Sequence, residues 1–391
     1  MIAPTMFTQA DETAMRRAIS LAKRGCYSTH PNPMVGCVLM QGDMLIGEGC
    51  HLVAGQAHAE INAIDDAIAK KHSISGATAY VTLEPCCHYG RTPPCVESLI
   101  EHGVAKVIVG CLDINPLVSG EGVKRLQVAN IPVSVGCLEN ECRLLNQGFF
   151  KRVSTGLPYV RVKSAMSLDG RTAMQSGESK WITGVEARLD VQKLRARSGA
   201  IITGIGTVMA DDPALTVRVE SWDEKPSDPV LQPLRVVLDS TLKIPLTAKI
   251  FCEPNTCLVI CLDHAYGKDK FQALQALGVE VISLQSQEGS QSIPLKSVLA
   301  FLAEKGVNDV MIEAGNQLSG AFIQEGLVDE LWVYIAPILM GKSARPLFDI
   351  DLLKMANKYC FEFDEVSQLG RDLIVIGRNI RIHHDLDTAP C

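Results

Sequence analysis

No stretch of the 391 residues approaches the ~20 consecutive apolar side chains that a membrane helix needs. A secretory start is missing as well: residues 1–11 carry no basic opening, no apolar core and no small-residue cleavage site, so a cytoplasmic location is expected. Positive charge is not in excess. With 37 Lys and Arg against 44 Asp and Glu, the net charge is −7. That balance weighs against a nucleic-acid partner, whose phosphates favour a basic face, but leaves room for a local basic pocket for one phosphate. The fourteen cysteines form no regular framework: nine fall between Cys26 and Cys142 and five are scattered from Cys252 to Cys391. In a chain of this length that pattern makes disulfides a poor reading, and Cys37 and Cys111, inside apolar stretches, read as small buried hydrophobes. The Gly-x-Gly-x-x-Gly dinucleotide fingerprint is also missing, since Gly204-Ile205-Gly206 is followed by Met209.

The length instead predicts two or three domains at roughly 150 residues each. A hydrophobic content of 47% allows substantial cores. The most informative stretch runs from His58 to Cys95. It opens with His58-Ala59-Glu60 and closes with Glu84-Pro85-Cys86-Cys87-His88-Tyr89-Gly90-Arg91-Thr92-Pro93-Pro94-Cys95. One imidazole and two thiolates can fill three of zinc's four tetrahedral positions and leave the fourth for water. Glu60, two residues after the histidine, is placed to move protons, which is the pattern of a hydrolytic zinc deaminase. A closed structural zinc is the bland alternative, with His51, His88 or Cys87 as a fourth ligand, but it leaves Glu60 without a task.

The flanking residues predict an alternation of helices and strands. Thr8-Gln9-Ala10-Asp11 reads as a capping box, with Met15, Ala18, Ile19 and Ala22 at helical spacing and Gly25 as the stop. Residues 35–40 and 44–47 read as a hairpin. Asn32, bracketed by Pro31 and Pro33, is either a turn residue or an amide presented to a heterocycle, and the two readings weigh equally. His58 at a helix mouth lets Glu60 point at the same site from the first turn. Strands over 77–83, 106–110 and 133–135 and helices from 95 and 123 complete a three-layer α/β/α domain. A linker is expected at 151–158. Beyond it, strands at 159–163, 200–203, 235–238, 257–262, 279–284, 310–312 and 330–335 end in Gly, Asp or Ser turns. That suits a nucleotide-type ligand at the carboxyl ends of a sheet in a second α/β domain.

At this point the residues carry a family resemblance. Pro31-Asn32-Pro33, Gly49-x-His51, His58-Ala59-Glu60 and the long motif from Glu84 to Cys95 resemble the bifunctional riboflavin-biosynthesis deaminase–reductases. Asp113-x-Asn115-Pro116, Ser167-Leu168-Asp169-Gly170, Gly177-Glu178-Ser179-x-Trp181, the run from Thr207 to Arg218, and Glu313-x-Gly315 fit the same family. The likeness covers nearly the whole chain in order, except roughly 221–232 and the end after Asn379. Ala314 stands where the family often has Gly, and Met166 where a smaller residue is common.

The resemblance implies a cytidine-deaminase-like domain over 1–153 and a dihydrofolate-reductase-like α/β domain over 158–380; beyond the likeness, a flexible tail is expected over 381–391. It implies one Zn2+ per chain held by His58, Cys86 and Cys95, with Glu60 as proton shuttle. Asn32, His51, His88 and Arg91 are implied deaminase substrate contacts. In the second half, Ser179, Arg195, Leu215, Arg218 and Glu313 are implied substrate contacts, with Lys163 and Asp169 lining the same cleft. NADPH contacts are implied for Met166, Trp181, Thr207, Asp211 and Ser240, and for the segment Gly315, Asn316, Gln317, Leu318, Ser319, Gly320 and Ala321. The expected partners are phosphorylated pyrimidines and further copies of the chain in a homo-oligomer, with neither nucleic acid nor membrane.

Overall fold

The computed structural model describes residues 7–88, 93–115, 118–253, 256–265, 269–286 and 291–380. The chain divides into two units, Met1–Gly156 with Pro226–Leu231, and Leu157–Lys225 with Gln232–Cys391. The short excursion Pro226–Leu231 belongs with the first unit because Arg24 grips Asp228 through two hydrogen bonds of 3.0 and 2.8 Å, and Leu231 N–H donates to Tyr27 O. It falls in the stretch where the family likeness lapses.

The first unit is a five-stranded sheet between two layers of helices. In chain order the elements are α1 (Gln9–Ala22), β1 (Gly36–Gln41), β2 (Met44–Cys50), α2 (Ala59–Ala69), β3 (Thr78–Leu83) and α3 (Cys95–Glu101). They continue as β4 (Lys106–Cys111), α4 (Glu121–Val128), β5 (Val133–Val135), α5 (Glu139–Leu145) and α6 (Gln147–Thr155). The strand order is β2-β1-β3-β4-β5, with β1 antiparallel to both neighbours and β3, β4 and β5 parallel. The period-two alternation of strands divides the core. Cys37, Leu39, Ala79, Val81, Val107 and Val109 pack under α2, α3 and α4, while Val38, Tyr80 and Ile108 pack under α1 and α5.

The capping box at Thr8 and Asp11 forms as the sequence predicts, with both reciprocal bonds present. The α-helix, however, gives way to a 3-10 turn over Lys23–Tyr27 that contains Gly25, so Gly25 is not the stop. It is needed there because a Cβ would stand 2.7 Å from His51 O. The linker expected at 151–158 is also corrected: Lys151–Thr155 continue α6, whose amphipathic turn buries Phe149, and only Gly156, at φ +71°, ends it.

The second unit is built on a nine-stranded sheet. Its elements are β6 (Tyr159–Ser167), β7 (Arg171–Ala173), α7 (Val185–Arg197), β8 (Ala200–Gly204), α8 (Ile205–Asp211), β9 (Leu234–Leu238) and β10 (Cys257–Leu262). Then come α9 (Asp269–Ala276), β11 (Glu280–Leu284), α10 (Leu295–Glu304), β12 (Asp309–Ile312), α11 (Asn316–Gln324), β13 (Glu330–Ala336), β14 (Arg345–Pro346), β15 (Phe361–Leu369) and β16 (Asp372–Asn379). The order is β11-β10-β9-β8-β12-β6-β13-β16-β15, parallel as far as β13 and antiparallel beyond it. β7 and β14 form a separate two-stranded piece. Gly204-Ile205-Gly206, which reads as a turn, opens α8 instead. The residues expected to form the tail, 381–391, lie outside the described residues.

Gly49 shows how tightly α2 is seated. A Cβ there would stand 2.4 Å from Ala63 N and 2.7 Å from Ala59 O, so β2 lies backbone to backbone against the first turns of α2. Gly49→Ala is expected to destabilise the first unit by about 1–3 kcal/mol, the cost of overpacking a closed core. Denaturant unfolding checks this, and an unchanged midpoint would contradict the close approach.

Candidate active sites

The first site gathers three chain ends. His58 is the N-cap of α2, Cys86 follows the carboxyl end of β3, and Cys95 is the first residue of α3. Pro94, with ψ 133°, supplies the extended entry that a helix start needs. His58 Nδ1 lies 3.5 Å from Cys86 Sγ and 3.3 Å from Cys95 Sγ. All three ligand atoms fall within 4.8 Å of one another. A tetrahedral zinc with bonds of about 2.1 and 2.3 Å would hold nitrogen and sulfur about 3.6 Å apart, so the residues present fit the ion. Among the described residues no other cluster of this kind occurs. Cys87 packs against the core below α2 and α3, and His88 is exposed.

The electrostatics of the triangle follow from crowding. A hydrogen bond from the Cys95 thiol, and then His58, hold the Cys86 thiol down despite burial; Cys95 is pushed up by that same bond and by burial. Glu60, only 3% exposed, is pushed up to about 7 by burial and then by the charge on Cys86. His51 is buried, and that burial lowers its imidazole below the ordinary value. Its Nδ1 donates to Ala57 O at 3.1 Å, so its Nε2 accepts from Asn32 Nδ2 at 3.1 Å. Asn32 also closes a turn, its N–H donating to Thr29 O at 2.8 Å, so it is a turn residue whose side chain reaches His51. Arg91 lies outside the described residues.

Glu84 went unassigned in the sequence, although it directly precedes Pro85-Cys86. It is buried, and its carboxylate accepts the N–H groups of Asp113, Gly120 and Val123 at 3.3, 3.0 and 3.1 Å. It therefore ties the ligand-bearing end of β3 to the first turn of α4.

In the second unit the implied residues collect beyond the carboxyl ends of the parallel strands. Glu313 and Gly315 follow β12, Thr207 and Asp211 lie on α8 after β8, Ser240 follows β9, and Met166 ends β6. Arg195 of α7 meets Glu313 in a two-pronged ion pair, with Nε to Oε2 and Nη2 to Oε1 both 2.8 Å. Lys163 stands 3.9 Å from the same carboxylate. Burial alone would raise Glu313, but Arg195 and then Lys163 outweigh it and hold the carboxyl at about 2. Burial pushes the Lys163 ammonium below its ordinary value against the pull of Glu313.

Gly315 is the N-cap of α11, and its N–H donates to Thr207 Oγ1 at 3.2 Å. The first-turn residues Asn316, Gln317 and Leu318 sit at a helix mouth suited to phosphate. Ser319 lies a turn deeper, its N–H already given to Gly315 O, and Gly320 is pressed against Asp349, where a Cβ would meet Asp349 O at 2.6 Å; Ala321 follows them into the helix. Trp181 is 70% exposed with the Arg188 guanidinium 4.7 Å above its ring, and Ser179 is half-buried nearby in sequence. Leu215 is buried and Arg218 exposed. Asp169 does structural work: its carboxylate accepts the N–H groups of Met340 and Gly341 and the hydroxyl of Ser167.

A proton carrier beside a three-ligand metal triangle is the equipment of a hydrolytic metal-dependent deaminase, and the first unit is of that class. Residues 8–111 match the profile of the cytidine and deoxycytidylate deaminase zinc-binding region, and residues 158–375 match that of the RibD C-terminal domain. The chain is 46% identical over 373 residues to riboflavin biosynthesis protein RibD of Escherichia coli, covering 93% of this chain and 98% of that protein. A solved structure of Acinetobacter baumannii RibD superposes with a TM-score of 0.85 at 50% identity, over 95% of this chain and 99% of that one. A Thermotoga maritima deaminase/reductase structure superposes at 0.81 with 32% identity and the same coverage. The chain belongs to the RibD family of bifunctional riboflavin-biosynthesis enzymes, combining a zinc-dependent deaminase with an NADPH-dependent reductase.

The Glu313 shift fixes a pH dependence. A carboxyl lowered from 4.5 to about 2 by folding contributes stability that is present above pH ~4.5 and is lost as pH falls from there to ~2, worth roughly 3 kcal/mol in full. Glu313→Gln should flatten that part of the acid-unfolding curve relative to the native chain. Parallel curves between pH 5 and 2 would contradict it.

Proposed function

We propose that the first unit deaminates 2,5-diamino-6-(ribosylamino)-4(3H)-pyrimidinone 5′-phosphate. The second then reduces the ribosyl group of the product to give 5-amino-6-(ribitylamino)uracil 5′-phosphate. Residues 1–153 carry the first reaction and 158–380 the second. The observation that carries this reading is the triangle of His58, Cys86 and Cys95 with Glu60 buried beside it. The Thermotoga relative, described as a diaminohydroxyphosphoribosylaminopyrimidine deaminase and 5-amino-6-(5-phosphoribosylamino)uracil reductase, supports the choice of substrates.

His58, Cys86 and Cys95 hold zinc, which when bound acidifies a water toward neutral pH. Glu60 takes a proton from the attacking water and returns protons to the ring nitrogen and the departing ammonia. Asn32 reads the heterocycle through its free carbonyl oxygen, oriented by His51, and His88 and Arg91 bind the rest of the substrate. In the second unit NADPH supplies hydride when bound. The chain contributes alignment. Gly315–Leu318, Thr207, Asp211, Ser240, Met166 and Trp181 hold the dinucleotide. Arg195, Glu313, Ser179 and Leu215 line the sugar site, and Lys163 and Arg218 leave it net positive for a phosphate.

The protein works in the cytoplasm, in keeping with thirteen described cysteines, none of them in a disulfide. It forms a homo-oligomer through the outer face of β15 and β16. β15 pairs only with β16 among the described strands, and Phe363, Val366 and Leu373 are 73, 58 and 42% exposed. An open edge bearing such a face invites its own copy, because a two-fold axis pairs one edge with the same edge.

Glu60→Gln should retain zinc, lose ammonia release at least a hundredfold, and still consume NADPH when given the deaminated intermediate. Undiminished ammonia release would remove Glu60 from the mechanism, and failure of the zinc-replete native protein to consume NADPH would remove the reductase assignment. Light scattering should give a multiple of the 42.4 kDa chain mass, and Phe363→Asp with Val366→Asp should reduce it to one chain. A native monomer, or an unchanged mass in the double variant, counts against this interface.

A further inference from the structure

The segment from Ala214 to Arg218 has no helix or strand, yet four backbone polar groups between Thr216 and Arg218 are held by side chains from elsewhere in the second unit. Thr216 O accepts from Arg195 Nη1 at 3.1 Å. Val217 is gripped on both sides by one carboxamide, its N–H donating to Gln232 Oε1 at 2.8 Å and its carbonyl accepting from Gln232 Nε2 at 2.9 Å. Arg218 N–H donates to Gln192 Oε1 at 2.9 Å. Leu215, within this segment, holds φ +54°, a conformation that non-glycine residues adopt at a cost, and its side chain is buried in the core. A strained loop persists only where its surroundings determine it, and here amides and a guanidinium supply that determination in place of a ladder.

Gln192 is 4% exposed on α7 and three residues before Arg195, so the two reach from one helix face. One side chain of that face pairs with Glu313 and the other sets the backbone from which Arg218 projects. Gln232, two residues before β9, closes the other side. A carboxamide suits Val217 because it both donates and accepts; a carboxylate would do only half of this.

We propose that Gln192 and Gln232 are positioning residues of the reductase, which preset the Leu215–Arg218 loop so that Arg218 meets the substrate phosphate without a cost of ordering. This rests on Leu215 and Arg218 being substrate contacts. The ordering cost saved appears in substrate affinity, and for Arg218 in the preference for a phosphorylated substrate.

The test compares NADPH oxidation with the deaminated intermediate and with its dephosphorylated form in the full-length, zinc-replete enzyme. Gln192→Met, similar in length but without an acceptor, should raise KM for the phosphorylated substrate about tenfold, the scale of one lost hydrogen bond to a buried backbone N–H. It should leave kcat and KM for NADPH within about twofold, and shrink the phosphorylated-to-dephosphorylated ratio of kcat/KM by the same factor. Gln192→Glu, which keeps an acceptor, should restore most of that ratio. Gln232→Met, at a half-buried position, gives the same readout should Gln192→Met fail to fold, and Gln232→Glu should fall between it and the native enzyme. Arg218→Ala separates the two layers of inference. If it loses the phosphate preference while both methionine variants fold and keep it, the positioning role is overturned. If Arg218→Ala itself keeps the preference, the reading of Arg218 is overturned, and the proposal with it.

Discussion

Two thiol sulfurs and an imidazole nitrogen lying within 4.8 Å of one another are the constraint around which the first unit is arranged. Such a cluster is tolerable only where its charge is shared and its backbone is held rigidly. Each ligand accordingly sits at a junction between regular elements. His58 takes the extended conformation of an N-cap, Cys86 leaves β3 through Pro85, and Cys95 starts α3 behind Pro94. Gly49 lets β2 press on α2 at the level of Ala59, next to the first-turn Glu60. Glu84 binds three backbone N–H groups and so holds the end of β3 against the segment that leads into α4.

The second unit solves a different problem with a similar economy. It buries cations beyond its parallel strands, and buried cations are expensive unless paired. Glu313 serves two of them, taking Arg195 by both oxygens and drawing Lys163 toward it, while Arg218 stays exposed. Arg235 is the counterexample on the same sheet. Fully buried, it gives its guanidinium to the carbonyls of Ile250 and Glu253 and the hydroxyl of Thr256, with no carboxylate among these partners.

Much of this was legible because local chemistry and tertiary outcome agree. The capping box at Thr8, the hairpin strands β1 and β2, and the short runs that became β3, β4, β5, β8, β9, β10 and β12 announce themselves through periodicity and punctuation. The errors occurred where a residue's role depends on something distant. Gly25 reads as a helix stop, yet what requires a glycine there is the carbonyl of His51. Lys151–Thr155 look like a linker because Ser, Thr and Gly cluster, but Phe149 anchors the helix that contains them. The Gly204-x-Gly206 turn became the start of α8 because β8 ends there, with the chain free to turn helical. β15 and β16 are not among the strands that the sequence predicts: β15 is an exposed edge with little apolar alternation, and its identity as a strand comes from its pairing with β16.

The sequence by itself determined the metal chemistry, since His, Cys and Cys with a glutamate two residues from the histidine admit few other uses, and the long loop between the cysteines narrows the family. It also determined the alternation of helices and strands that makes both units α/β. Only the tertiary structure decided which residues serve others. Gln192 and Gln232 lie in no motif, and the motifs that contain Glu84 and Asp169 do not reveal what they bond, because a hydrogen bond to a backbone N–H or carbonyl many positions away can be made by any side chain of suitable length. Which one makes it depends on how the strands are ordered, and that order is set by burial across the whole sheet.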